Sequence, residues 1–167
     1  MSPLNLAKAT ATEYYLVFPK VPNDPNIHAS DELKLNIFNI NIPTFSLEDT
    51  KFLWQGKYVE FHIGGVSFDP LTVSFVVDSE YRNWKLLFRW LTYIANNKDK
   101  PSNVPNDYVT DASIILYDNF HKKHTFITFK NIWIQNLGEL QLSIREGETY
   151  IECNATFQYD RYEIEDA

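Results

Sequence analysis

Residues 131–162, NIWIQNLGELQLSIREGETYIECNATFQYDRY, decide how this chain is read. The segment begins on the end of a strand at Ile132-Trp133-Ile134, turns through Asn136-Leu137-Gly138-Glu139-Leu140, and closes with a long alternating strand from Tyr150 to Tyr162. Successive side chains on a strand point to opposite faces. Ile151, Cys153, Ala155, Phe157 and Tyr159 therefore share one side, and Glu152, Asn154, Thr156, Gln158 and Asp160 the other. The first side is apolar enough for a core. The second is polar but carries no Lys or Arg, residues that solvent-exposed strands often use to discourage edge pairing.

Outward from this segment, strand signals dominate. They cover Glu13–Phe18, Leu33–Ile42, Phe45–Trp54, Lys57–Ile63, Leu71–Val77, Ala112–Tyr117, Thr125–Ile134 and Glu139–Ile144. The alternation Leu33, Leu35, Ile37 changes phase to Ile40, Ile42, which predicts a bulge near Phe38. Gln55-Gly56 is short and contains a glycine able to take positive φ, so the segments around it read as a hairpin with Trp54 at its tip. Glu60, Thr72 and Ser74 continue the short or acidic polar side on their own strands. One helix is expected at about 79–97, after Asp78-Ser79, either of which can accept the free N–H groups of a first turn. Tyr81, Trp84, Leu87, Phe88, Leu91, Ile94 and Ala95 recur at helical spacing and are expected on its buried face, with Arg82, Lys85, Arg89 and Asn96 opposite.

Composition agrees with a mainly β fold in one domain. The 167 residues suffice for a single core, and aromatic residues make up 16% with only 5 glycines. Prolines 19, 22, 25, 101 and 105 mark loops, residues 1–12 read as a flexible arm, and 163–167 as a solvated acidic tail. Net charge is 15 − 22 = −7 without a basic cluster, which argues against tight nucleic-acid binding. Cys153 has no partner for an internal disulfide. The N-terminus lacks the pattern of a secretory signal and no segment is apolar for the length of a membrane span, so a soluble protein made in a cell's cytoplasm, without a membrane anchor, is expected.

Catalytic patterns are weak. His28, His62, His121 and His124 show no metal-ligand spacing, and His121 and His124 sit beside Lys122-Lys123 in an expected turn. Glu163 and Glu165 alternate at the chain end without a sign of a cleft, Cys153 falls on the apolar side, and no phosphate-binding glycine loop or nucleophile elbow occurs. No enzyme activity, metal or cofactor is expected.

Two blocks resemble the tail tube proteins of contractile-tailed bacteriophages. One is the 131–162 segment. The other runs from Lys57 through Gly65, Phe68-Asp69, Val73, Val76 and Asp78 into a helix carrying Phe88-Arg-Trp90: strand, glycine, Phe-Asp pair, strand with an acidic end, helix. Together they cover about residues 33–95 and 125–162. The proline-rich loop at 19–31, the polar loop at 96–108 and the acidic end depart from the pattern.

The resemblance implies a β-sandwich or barrel of the tail tube fold with one flanking helix. It also implies hexameric rings stacked into a hollow conduit for DNA inside a contractile sheath, with baseplate and tail terminator proteins at the ends, in the virion tail. Glu60, Thr72, Ser74, Glu152, Asn154, Thr156 and Gln158 become candidates to face the channel, because a wall without cations would not hold phosphates. Trp54 becomes a candidate subunit contact. Most other aromatics, Trp84 and Phe88 included, are expected in the core. A solvent-facing sheet would show the same polar side. A tube or ring protein of a related contractile injection system, a baseplate tube initiator, and a monomeric β-sandwich binding module are the alternatives.

Overall fold

The protein, in a computed structural model describing residues 14–19, 37–47, 50–61, 65–97, 108–117, 120, 122–142 and 150–166, is built around one long strand. This strand, β9 (Lys123–Leu137), has 15 residues and belongs to two sheets. Its first half lies between β8 (Thr110–Tyr117) and β11 (Arg161–Asp166), and β1 (Tyr14–Val17) adds to the far side of β8. Its second half pairs with β10 (Glu152–Gln158), followed by β7 (Leu71–Val76) and β2 (Ile37–Asn41). All these pairings are antiparallel.

A bulge lets β9 change sheets. Ala112 faces Phe129 and Thr110 faces Ile132, so Asp111 alone opposes both Lys130 and Asn131. Asn131 takes φ 53°, a left-handed conformation that asparagine tolerates better than most residues. Asp111 holds both bulged residues: its carboxylate accepts from Lys130 Nζ at 3.0 Å and from the Asn131 backbone N–H at 3.1 Å. From the other side, Asn131 Nδ2 donates to Asp160 Oδ2 and the Asp160 N–H donates to the Lys130 carbonyl at 3.0 Å.

The inner faces of both sheets contribute to one core. Leu16, Ile114, Ile127 and Phe129 come from the first sheet, and Val73, Phe75, Ile134, Ala155 and Phe157 from the second. The helix α1 (Arg82–Asn97) packs on this core through Leu86, Leu87 and Trp90. Trp90 lies edge-on to Phe18 at 5.9 Å and near Phe157 at 6.0 Å, while its Nε1 donates to the Tyr108 carbonyl at 2.9 Å. Asp78 supplies the helix cap, its carboxylate accepting the Arg82 N–H at 2.6 Å. Asn83, fully buried, donates to the Val76 carbonyl at 2.8 Å and accepts from the backbone N–H of Trp84, also at 2.8 Å. These bonds tie the first helical turn to the end of β7.

An arm separates β2 from β7. It contains β3 (Phe45–Leu47) paired with β6 (Val66–Phe68), then the hairpin of β4 (Thr50–Trp54) and β5 (Lys57–Phe61). Gln55 at φ 49° and Gly56 at φ 75° make the hairpin turn, the positive pair that matches the twist of the flanking strands.

Several expectations change here. The single segment Phe45–Trp54 is two strands, and β6 had no predicted counterpart. Residues 139–142 form no strand and pair with none of the described strands. The long strand 150–162 breaks at Tyr159-Asp160, where β10 leaves one sheet and β11 joins the other. Residues 163–166, expected as a solvated acidic tail, are exposed and lie in strand β11. Phe88 is 48% exposed, since the buried stripe runs through positions 83, 86, 87 and 90 and residue 88 projects away from it; it stacks on the half-buried Trp84 at 5.3 Å. Ala95, expected on the buried face, is also exposed. The bulge at Phe38 is present between Ile37 and Asn39. The expectations for the arm at 1–12, Leu33, Leu35, His28, His62, His121 and most of both loops lie outside the described residues.

The strained position at Asn131 gives a direct test. Both variants lose the side-chain bond to Asp160, but Asn131→Gly should fold with a modest change in melting temperature, whereas Asn131→Val should lose about 1–3 kcal/mol more, because a β-branched residue resists positive φ. Denaturant unfolding of the two variants measures the difference.

Candidate assembly surface

The second sheet turns a polar lattice outward, on which no described cation lies. Because Val73, Phe75, Ala155 and Phe157 point into the core, their neighbours along each strand point the other way. Register brings Asn39, Ser74 and Asn154 into one row across β2, β7 and β10. The next row is Asn41, Thr72, Thr156 and Asn136, reaching β9. A second bulge leaves Gln135 unpaired in the register between Ile134 and Asn136, and Gln158 Nε2 donates to its Oε1 at 3.0 Å. Glu152, opposite Val76, is the one charged side chain on these rows. Lys and Arg are absent from them. The described cations lie elsewhere: on α1 (Arg82, Lys85, Arg89), on the arm (Lys51, Lys57), and on or beside the first sheet (Lys122, Lys123, Lys130, Arg161).

Six of the seven candidate positions thus share one face: Thr72, Ser74, Glu152, Asn154, Thr156 and Gln158. Glu60 does not belong to it, because it pairs with Lys51 in the separate β4–β5 hairpin. Asn39, Asn41, Gln135 and Asn136 join the face although sequence reasoning overlooked them. Their signal was present as Asn alternating with Ile40, and as amides following Ile134, but both pairs sit beside bulges that shift the apparent phase.

The sheet also has two backbone edges that none of the described strands occupies, one along β2 and one along the second half of β9. Unpaired edges of this kind recruit further strands unless they are covered. On the arm, Leu53, Trp54 and Tyr58 are 64%, 68% and 76% exposed. Trp54, the expected contact residue, therefore stands in the open next to the hairpin turn.

Reactive chemistry has little foothold among the described residues. No three His, Cys, Asp or Glu side chains converge as a metal site would require. Cys153 is buried, and burial raises its thiol pKa, against the needs of a nucleophile, although backbone hydrogen bonding at Asn154 and Gly138 partly offsets this. Burial, then the neighbouring Tyr162 and Asp69, push Tyr159 up to about 12. Its hydroxyl donates to the Asp69 carbonyl at 2.8 Å, which pins the base of the arm to the core.

Comparison with known proteins places this architecture. The profile of the family "Phage tail tube protein" matches residues 7–165. The chain belongs to the phage tail tube protein family. This family is structural, not enzymatic, and its members form tubes. Two curated relatives are similar in sequence. The tail tube terminator protein of Enterobacteria phage T4 is 28% identical over 108 residues, covering 60% of each chain. The tail tube protein of Serratia phage KSP90 is 25% identical over 120 residues, 71% of this chain and 67% of that one. The match therefore spans about 60% of the T4 protein's own length. The fold is also that of a chain in the sheath–tube complex of the PVC extracellular contractile injection system, with TM-score 0.64, 11% identity and coverage of 98% and 95%.

Tyr159 provides a pH test for this tail tube chain. Its folded pKa, about 12, lies above the ordinary 10.0, so the stabilising contribution is complete below pH 10 and disappears as pH rises from 10 through 12. Thermal melts across that range should show stability falling for the wild type, with a shallower fall for Tyr159→Phe, which has no phenol to ionise.

Proposed function

We propose that this chain assembles into hexameric rings that stack as a phage tail tube, with the polar face of the second sheet lining the bore through which DNA passes. The observation that carries this reading is the four-strand face of Asn, Thr, Ser and Gln with Glu152, on which no described cation lies and whose two edges no described strand covers. In a ring, the β2 edge of one subunit pairs with the β9 edge of the next, so six second sheets close into one barrel and no edge remains. Neutral amides and hydroxyls attract phosphates weakly, and Glu152 repels them. A lysine on such a wall would hold a phosphate and release counterions, slowing passage.

The first sheet and α1 then lie outside the bore, on the side available to a contractile sheath, and the ends of the stack meet baseplate and terminator proteins. Trp54 contributes to contacts between subunits. The sheath-bound tube of the PVC complex supports the first of these partners by likeness of fold. Localisation follows as the virion tail, after synthesis in the host cytoplasm. A second reading has one specific support, the T4 relative's name: a terminator ring at the tube end. It shares the hexamer and bore but lacks unlimited stacking.

Glu152→Lys and Gln158→Lys test the bore assignment. Tubes should still form, because neither residue faces the core, but DNA ejection should slow at low ionic strength and recover with added salt. Ejection at the wild-type rate in both variants would reject this face as the channel wall.

A further inference from the structure

The two open edges of the second sheet carry the same irregularity. On β2, Ile37 lies opposite Phe75 and Ile40 opposite Val73, and both pack on the core. Between them Phe38 and Asn39 are both exposed, and Asn41 is exposed again after Ile40. From 37 to 41 the order is in, out, out, in, out. On β9, Leu137 packs on the core and Ile134 is buried, while Asn136 and Gln135 between them are both exposed. Trp133 lies opposite Gln158 and between the buried Ile132 and Ile134, so it points outward. From 137 back to 133 the order is again in, out, out, in, out. Each edge thus holds one residue more than strict alternation allows.

We infer that these matched bulges are a register key between copies of this chain. In the ring, β2 of one subunit lies antiparallel to β9 of the next, with Ile37 opposite Leu137, Asn39 opposite Gln135, Ile40 opposite Ile134 and Asn41 opposite Trp133. Phe38 then meets Asn136, and the two bulges sit side by side. This inference rests on the tube reading and fixes the register in which its subunits join.

Strand direction and length both fit. β2, β7, β10 and β9 are successive antiparallel neighbours, so β9 runs opposite to β2. Rotation about a ring axis preserves direction along that axis, so the seam between subunits is antiparallel like the pairs within the sheet. β8 covers this edge of β9 only as far as Ile132, which lies opposite Thr110. Trp133 to Leu137 stay open, 137 − 132 = 5 residues, and β2 also has 5.

The faces select one alignment. In the stated register, Ile37 with Leu137 and Ile40 with Ile134 extend the core across the seam. The amides of Asn39 and Gln135 meet on the other side, where each offers donors and an acceptor, and Gln135 is already oriented by Gln158 Nε2 at 3.0 Å. A slip of one residue sets Ile134 against Asn39 or Asn41. A slip of two sets Ile37 against Gln135 or Ile40 against Asn136. Each slip turns an amide toward the core without a partner or an isoleucine toward the bore. A regularly alternating strand from another protein matches one side of the bulge and fails beyond it, so the key also rejects foreign strands.

Paired cysteines read the register directly. Cys153 is buried, so introduced thiols are the accessible ones. Directly opposite residues on antiparallel strands have Cβ atoms about 4.5–5.5 Å apart and diagonal ones about 7–8 Å, and a disulfide needs the shorter spacing. Mixed Asn39→Cys and Gln135→Cys subunits, assembled into rings and oxidised, should give linked dimers, whereas Asn41→Cys with Gln135→Cys should stay largely unlinked. Deletion of Phe38 or of Gln135 removes one bulge and leaves regular alternation within its own sheet. Among deletion variants that keep the wild-type circular dichroism spectrum, each single deletion should lose ring assembly at the wild-type concentration, and the double deletion should regain it. Rings in which Asn39→Cys does not link to Gln135→Cys, single deletions that form rings as readily as the wild type, or a folded double deletion that forms none would overturn the register while leaving the tube reading intact. Absence of rings from the unaltered protein would overturn both.

Discussion

The rest of the structure depends on the clamp at Asp111, Lys130 and Asn131. A strand of 15 residues lying flat would extend one sheet and leave its far side open to solvent. At the bulge β9 changes partners, so that its first half pairs with β8 and β11 and its second half with β10. Asp111 satisfies both bulged residues, and Asp160 holds the same point from the returning strand, where β10 gives way to β11. The two crossings therefore occur side by side. A single core forms between the sheets, and the second sheet is left with a polar outer face and two open edges.

Those edges connect the monomer's physics to assembly. An isolated chain with unpaired strands along β2 and β9 carries an aggregation hazard. In the ring proposed above, each edge closes on an identical neighbour, which would remove the hazard and form the conduit. The net charge of −7 opposes premature association of free subunits. Among the described residues Lys and Arg lie on the helix, the arm and the first sheet, a distribution that suits the bore proposed above. Burial of the sole cysteine leaves the subunit without an accessible thiol.

Much of this was legible in the sequence because strand alternation survives wherever one face is buried. Residues 71–76 and 152–158 have alternating burial, and the six candidate polar positions read from them lie together. The bulge at Phe38 was visible as a phase change, and the Gln55-Gly56 turn from its glycine. What failed did so for identifiable reasons. The break at Tyr159-Asp160 preserves the alternation on both sides, so one long strand and two strands in different sheets look alike. Residues 139–142 alternate but pair with none of the described strands, and alternation alone does not supply a partner. Phe88 has helical spacing relative to Trp84, yet spacing alone does not identify which stripe faces the core. Asn83 was invisible as a core residue because its burial depends on carbonyl and amide partners that folding supplies.

The most direct test of the account is a cryo-electron microscopy reconstruction of the purified chain assembled at high concentration. The account predicts sixfold rings in which the second sheets of six subunits form one continuous barrel, with Thr72, Asn154 and Thr156 facing the channel. Monomers at every concentration, or rings whose polar sheet faces outward, would contradict it.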